Sequence, residues 1–144
     1  MVEQSSYGLF QSGPPPKPYL QPFVYNATVL RVIDGDTLEV DVDHGFYVHQ
    51  TPTPVRLLGC NAAEHGTPGG DAATANLTAL LPPGTPVLLS TAKPDKFAPR
   101  WDSAVGYRAA DGTVHDLVSD LLAGNWVAAW NGQGTKPVPP WPRP

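Results

Sequence analysis

The chain has 144 residues, 41% hydrophobic, 15% charged and 9% aromatic, with a formal charge of -4 and one cysteine. That length suits one domain, and the apolar fraction excludes disorder along the whole chain. The acidic balance argues against a broad electrostatic clamp on nucleic acid, so any phosphate site must be local or borrow charge from a metal.

No apolar run reaches the roughly 18 residues of a transmembrane helix, so no membrane span is predicted. The opening MVEQSSYGLFQSG has neither a basic start nor an apolar stretch, unlike a secretory signal. Cys60 has no partner for an internal disulfide. Together these features predict a cytoplasmic protein in a reducing compartment.

Proline divides the chain. Five of the 18 prolines fall in residues 14–22 and five in 137–144. Proline fixes φ and lacks an N–H, so these stretches are read as a polyproline-like arm (1–22) and tail (137–144) flanking a domain over 23–136. They serve either as tails draped on the domain, anchored through Tyr19, Phe23 or Trp141, or as ligands for a proline-recognising protein.

Tyr25–Ile33 is β-branched and aromatic. Thr37–Asp43 alternates Leu38, Val40 and Val42 against Glu39, Asp41 and Asp43. The intervening Asp34-Gly35 predicts a hairpin, with glycine accepting positive φ. Phe46–His49 is read as a third strand and Val55–Leu58 as a short buried one. A helix opens at Gly69-Gly70-Asp71, buries Ala73, Leu77, Leu80 and Leu81, and stops at Pro82-Pro83. Strands follow at Val87–Thr91 and Ser103–Tyr107, the latter turned by Asp111-Gly112. A second helix, with Asp116 as N-cap, buries Leu117, Val118, Leu121 and Leu122 and ends at Gly124. Val127–Trp130 closes the series. Strands interrupted by single helices, without βαβ alternation, predict a β-rich α+β fold: a five-stranded OB-type barrel with two or three helices.

Taken alone, Asp34-Gly35-Asp36-Thr37 is satisfied as a turn with solvated carboxylates. Arg56 is read as an interior-directed cation on a barrel strand, which needs an anion: a structural ion pair or a bound phosphate. Asn61 and Glu64 lie just past that strand. Asn, Asp and backbone carbonyls are the hard oxygen donors that Ca²⁺ takes. Lys93–Asp102 interleaves Lys93, Lys96 and Arg100 with Phe97 and Trp101. That pattern suits either a phosphate-and-base site or a solvated loop.

The ordered set IDGDT (33–37), RLL (56–58) with Glu64 after it, a glycine-rich entry to a helix, DKF (95–97), Arg100 and ADG (110–112) resembles the staphylococcal nuclease-like (thermonuclease) domain. The resemblance covers roughly residues 25–131. The compact size and the WNGQGTKPVPPWPRP end are also similar to small nuclease-like proteins of actinobacteria and their phages, which places an infected bacterial host cell among the expected settings. The resemblance implies an OB barrel and a Ca²⁺-dependent phosphodiesterase acting on DNA or RNA. Asp36 and Asn61, with the Ala62 backbone carbonyl, would hold the metal, and Asp34 would support it from close by. Arg56 and Arg100 would clamp the scissile phosphate, and Glu64 would orient or activate water. Lys96, Phe97 and Trp130 would bind substrate, the aromatics by stacking.

Three positions depart from the family pattern. Asn61 stands where the family has an Asp ligand, which removes one negative charge and weakens metal binding. One extra residue separates Asp95 from Arg100. Phe97 replaces a tyrosine and lacks its hydroxyl. These departures keep a second reading open, a catalytically weakened or inactive barrel that binds an oligonucleotide or a protein. The proline arms alone suggest a third, a phage assembly or accessory protein. The four histidines and Cys60 lack zinc-ligand spacing, no Gly-x-Ser-x-Gly elbow is present, and Gly66–Gly70 lacks the Lys-Ser/Thr of a phosphate loop.

Overall fold

The computed structural model describes residues 23–95 and 99–141. β1 (Phe23–Asp34), β2 (Thr37–Asp43) and β3 (His49–Leu57) form an antiparallel meander. The two-residue β4 (Cys60–Asn61) leads into α1 (Pro68–Leu80). β5 (Pro86–Pro94), β6 (Trp101–Arg108) and β7 (Val114–Asp116) follow, then α2 (Leu117–Ala123) and β8 (Ala128–Ala129).

β1 pairs with β2 on one side and β5 on the other, and β5 pairs with β6. The ring closes where β3 runs parallel to β6, Val55 opposite Trp101, Arg56 opposite Asp102 and Leu57 opposite Ser103. Five strands in the cyclic order 1-2-3-6-5 make the closed OB-type barrel expected from the strand pattern. β7 extends β6 outside the ring, and β4 pairs with β8 as a separate ribbon.

The period-2 pattern explains the core. Val29 on β1, Leu38, Val40 and Val42 on β2, and Val55 and Leu57 on β3 are buried in the barrel with Leu89 and Val105. Leu77 and Leu81 cover one end from α1 and its C-cap, and Leu117 and Leu121 pack onto the same cluster from α2. Each fully buried Leu or Val contributes roughly 1.5–3 kcal/mol relative to exposure.

Several local expectations need correction. Phe46 and Tyr47 are not strand residues. They sit at positive φ (55° and 64°) in a turn and are 97% and 101% exposed, and β3 starts only at His49. Helix α1 begins earlier than Gly69. Thr67 is its N-cap, accepting from the Gly70 N–H at 3.1 Å, with Pro68 in the first turn. Leu80 faces outward, 37% exposed, leaving Ala73, Leu77 and Leu81 as the buried stripe. At the end of α2, Gly124 keeps an ordinary φ of -86° and Asn125 takes the left-handed conformation, φ 52°. β7, at three residues, was too short for its periodicity to register.

Gly35 does connect a hairpin, but for another reason than positive φ. A Cβ there would stand 2.7 Å from Ala73 Cβ and 2.8 Å from Ala62 Cβ. Its missing side chain lets α1 and the segment after β4 close on the β1–β2 turn. Among the described residues no helix is long and apolar enough to cross a membrane.

Candidate functional site

The β1–β2 turn and the end of β3 are tied together by backbone. The Leu57 N–H donates to the Asp36 carbonyl at 2.9 Å, and the Leu58 N–H donates to the Ser103 carbonyl at 3.1 Å. Because Val55 and Leu57 face the core, Arg56 points the opposite way, out of the barrel interior that the sequence reading gave it. Its Nη1 lies 3.3 Å from Asp36 Oδ2 and donates to the Leu57 carbonyl at 3.0 Å. The anion Arg56 requires is therefore Asp36, and both side chains are largely buried, at 14% and 10% exposure.

Asp36 is heavily engaged. Oδ2 also accepts the Ala62 N–H at 2.9 Å, and Oδ1 accepts the Thr37 hydroxyl at 3.0 Å. Asp34 Oδ1 accepts the Asp36 N–H at 3.0 Å. Burial, reinforced by the neighbouring Asp36, pushes the Asp34 carboxyl up to about 6. Asn61 is buried on β4, opposite Ala128.

These groups fit a divalent cation in kind. Two adjacent carboxylates, a buried amide side chain and a loop backbone are oxygen donors of the right hardness, and a cation would offset the burial and the neighbouring charge that together raise Asp34. The fit is a weak one. Arg56 already neutralises Asp36, whose Oδ2 holds two donors, and Asn61 brings no charge. Among the described residues no three His, Cys, Asp or Glu side chains are grouped as a metal site.

Arg56 and Arg100, 44 positions apart in sequence, line one open cavity of about 240 Å³ with Asp95, Asp102, Trp130 and Lys136. The parallel β3–β6 pairing explains this, since it sets Arg56 opposite Asp102, two residues beyond Arg100. Despite the extra residue before it, Arg100 reaches the cleft, where its Nη2 contacts Asp95 Oδ1 at 3.0 Å. Three of the chain's nine Lys and Arg residues gather here, against Asp95 and Asp102 in the lining and Asp36 paired with Arg56, so the cleft concentrates cations whose formal charge is balanced nearby.

Glu64 does not line this cleft. It is exposed and borders a second, apolar cavity of about 280 Å³, with Ala63, Thr67, Gly69, Pro139, Pro140 and Trp141. The backbone there is fixed. The Glu64 carbonyl accepts from the Thr67 N–H at 3.2 Å and its hydroxyl at 2.6 Å, and a Cβ on Gly70 would come within 1.8 Å of that oxygen. Trp141 Nε1 donates to the Asn125 carbonyl at 3.0 Å and anchors the C-terminal segment.

Trp130 lines the Arg56–Arg100 cleft, its N–H donating to the Gly59 carbonyl at 3.0 Å and its Nε1 to the Gln133 carbonyl at 3.0 Å. Lys96 and Phe97 lie outside the described residues. Cys60 is buried, and burial first of all pushes its thiol up to about 12, so it serves as a small apolar side chain. The residue that sequence reasoning missed is Lys136. By sequence alone it is the last residue before the proline-rich tail. Its signal was the pair of glycines between Trp130 and Lys136, which lets the chain double back.

No protein-family model matches the chain, and no curated protein matches it.

Proposed function

We propose that the protein is a Ca²⁺-dependent phosphodiesterase of the staphylococcal nuclease-like type, acting on a short single-stranded or locally opened stretch of DNA or RNA. The observation that carries this reading is the meeting of Arg56 and Arg100, from distant parts of the sequence, at one cleft beside the Asp36 turn. Two guanidinium forks offer bidentate donors to a phosphate and to the extra charge of its crowded transition state, which a lysine does not match. Asp36 holds the Arg56 fork in place. Asp36, Asn61 and the Ala62 carbonyl are the groups that would hold Ca²⁺, with Asp34 beside them, and the ion supplies positive charge against the substrate phosphate when bound. Glu64, in the segment that follows, is the carboxylate the resemblance assigns to orienting or deprotonating a water, although it borders the neighbouring cavity.

Incubating labelled single-stranded and duplex oligonucleotides with the protein in Ca²⁺, in EDTA, and with Glu64→Ala tests the reading. Cleavage in Ca²⁺ alone, lost in EDTA and in the variant, is the expected result. Cleavage that persists in EDTA or in Glu64→Ala overturns it.

A second reading is favoured by one observation. Glu64 borders the cavity beneath Pro139, Pro140 and Trp141 rather than the Arg56–Arg100 cleft. A barrel that binds an oligonucleotide or a protein without cutting it has no need of a carboxylate in the cleft. Titration calorimetry separates the two. Heat on adding Ca²⁺ favours the enzyme, and partner binding without a Ca²⁺ response favours the binding module, salt-sensitive for an oligonucleotide and salt-insensitive for a protein.

A further inference from the structure

Lys136 arrives at the cleft along an unusual path. After Trp130 the chain turns through Asn131–Gly134. Gly132 and Gly134 are both at positive φ (87° and 73°), and Asn131 Oδ1 accepts the Gln133 N–H at 2.9 Å. This loop bends back so that Gln133 caps the Trp130 indole N–H and Lys136 Nζ sits over the Trp130 ring, 5.6 Å from its centroid. The same segment then runs to Pro139, Pro140 and Trp141, whose indole is bonded to the Asn125 carbonyl. A long flexible cation is thus restrained at both ends. One end rests on an aromatic face and the other is tethered by Trp141.

We infer that Lys136 is a third phosphate ligand of the cleft and that Trp130 is chiefly its platform, rather than a surface on which a base stacks. The inference rests on the nucleic-acid reading above and deepens it. Arg56 and Arg100 sit on the closing seam of the barrel, and Arg100 shares its charge with Asp95. Lys136 lines the same cleft from a separate segment, and the ion pairs of the described residues do not include it. Cations brought to one open cleft by separate segments suit two consecutive phosphates of a strand lying in it. They exceed what a single terminal phosphate requires. Lys136 occupies one face of the Trp130 ring, which leaves less of the indole open for a base to stack on. The substrate class assigned is therefore an internal position of a single strand.

The test is binding of a dye-labelled oligothymidylate to the full chain over a range of salt, in Ca²⁺ and separately in EDTA. Loss of one phosphate contact lowers the slope of log Kd against log salt by about 0.7 on a single strand. Lys136→Met is expected to do this and to weaken binding by about three- to tenfold at low salt, whereas Lys136→Arg keeps the slope. Trp130→Leu is expected to lower the slope as Lys136→Met does, with the double variant little worse than either single one. Arg108→Ala, a control cation outside the cleft, is expected to leave the slope unchanged.

A wild-type slope retained in Lys136→Met, additive losses in the double variant, or an equal drop in Arg108→Ala overturns the inference while leaving the phosphate cleft standing. A wild-type protein that binds no oligothymidylate in either buffer overturns the underlying reading itself. Circular dichroism of each variant guards against misfolding, and Lys136→Arg keeps the question decidable should Lys136→Met unfold.

Discussion

Arg56 Nη1 lies 3.3 Å from Asp36 Oδ2, and this pair joins the guanidinium side of the candidate site to its acidic side. Asp36 also holds the Thr37 hydroxyl and the Ala62 N–H. Removing it would strand a largely buried guanidinium and a buried amide. Asp36→Ala is expected to lower the unfolding free energy by about 3–5 kcal/mol, with an unchanged denaturant slope, because one partner of a buried pair is lost. Asp36→Asn keeps an acceptor and is expected to cost less. Urea unfolding followed by tryptophan fluorescence measures both.

Gly70 should tolerate no side chain. On helix propensity alone, Gly→Ala would stabilise by roughly 1 kcal/mol. Here the new Cβ would meet the Glu64 carbonyl oxygen at 1.8 Å, a backbone atom that cannot rotate away. Gly70→Ala is expected to destabilise by about 2 kcal/mol or more and to displace the Glu64 segment. Ala75→Gly, on the exposed face of the same helix, is expected to cost only about 1 kcal/mol. Paired thermal melts distinguish the two effects.

Leu57 couples the core to the cleft. It is 1% exposed, and its N–H donates to the Asp36 carbonyl. Leu57→Ala is expected to destabilise by about 2–5 kcal/mol and to weaken oligonucleotide binding as well, since the cavity opens directly beneath Arg56. Leu77→Ala, equally buried but on α1, should match the stability loss with a smaller effect on binding.

His115 sits between two carboxylates, with Nδ1 2.7 Å from Asp120 Oδ2 and Nε2 2.9 Å from Asp111 Oδ2, while the Tyr107 hydroxyl also donates to Asp120. The two carboxylate bonds, Asp120 first, raise the His115 pKa above 6.5. The fold thus favours the protonated ring. Its contribution is complete below about pH 6.5 and fades as pH rises through the higher folded midpoint. Asp111 is held down to about 2 by its bonds to Thr113 and then His115, so its contribution is present above 3.8 and is lost as pH falls from there through about 2. Stability from this network is therefore greatest between about pH 4 and 6.5. Asp120→Asn is expected to move the His115 midpoint down, as read by NMR titration of the ring.

How much of this could be read from the residues differed by element. Strong alternation, as in Leu38-Glu39-Val40-Asp41-Val42, located β2 to the residue, because a half-buried strand leaves no other solution. Asp116 as the N-cap of α2 followed from side-chain chemistry and is observed, its carboxylate accepting the Ser119 N–H at 3.0 Å. Phe46 and Tyr47 misled because aromatic composition mimics a strand, whereas the neighbouring His44-Gly45 turn dictates their backbone. Arg56 and Arg100 were legible as phosphate-binding types. Their meeting depends on the register of a parallel pair, which one sequence does not encode visibly. Glu64 was legible by spacing after RLL, but the cavity it borders is made with residues 139–141, far along the chain. Lys136 was invisible because its position depends on a loop that doubles back over an indole.

The parallel seam between β3 and β6 has a consequence for assembly. Every other edge of the ring joins antiparallel neighbours, while this one unites segments centred on residues 56 and 102. Such a distant union carries a high loop-closure cost, exceeded in the ring by the β1–β5 pairing, where Phe23 meets Thr91. The Arg56–Arg100 cleft lies on that union, so a chain whose ring has not yet zipped shut has not assembled it. A bound strand would act as a clasp, slowing amide exchange along the seam more than in the β1–β2 hairpin.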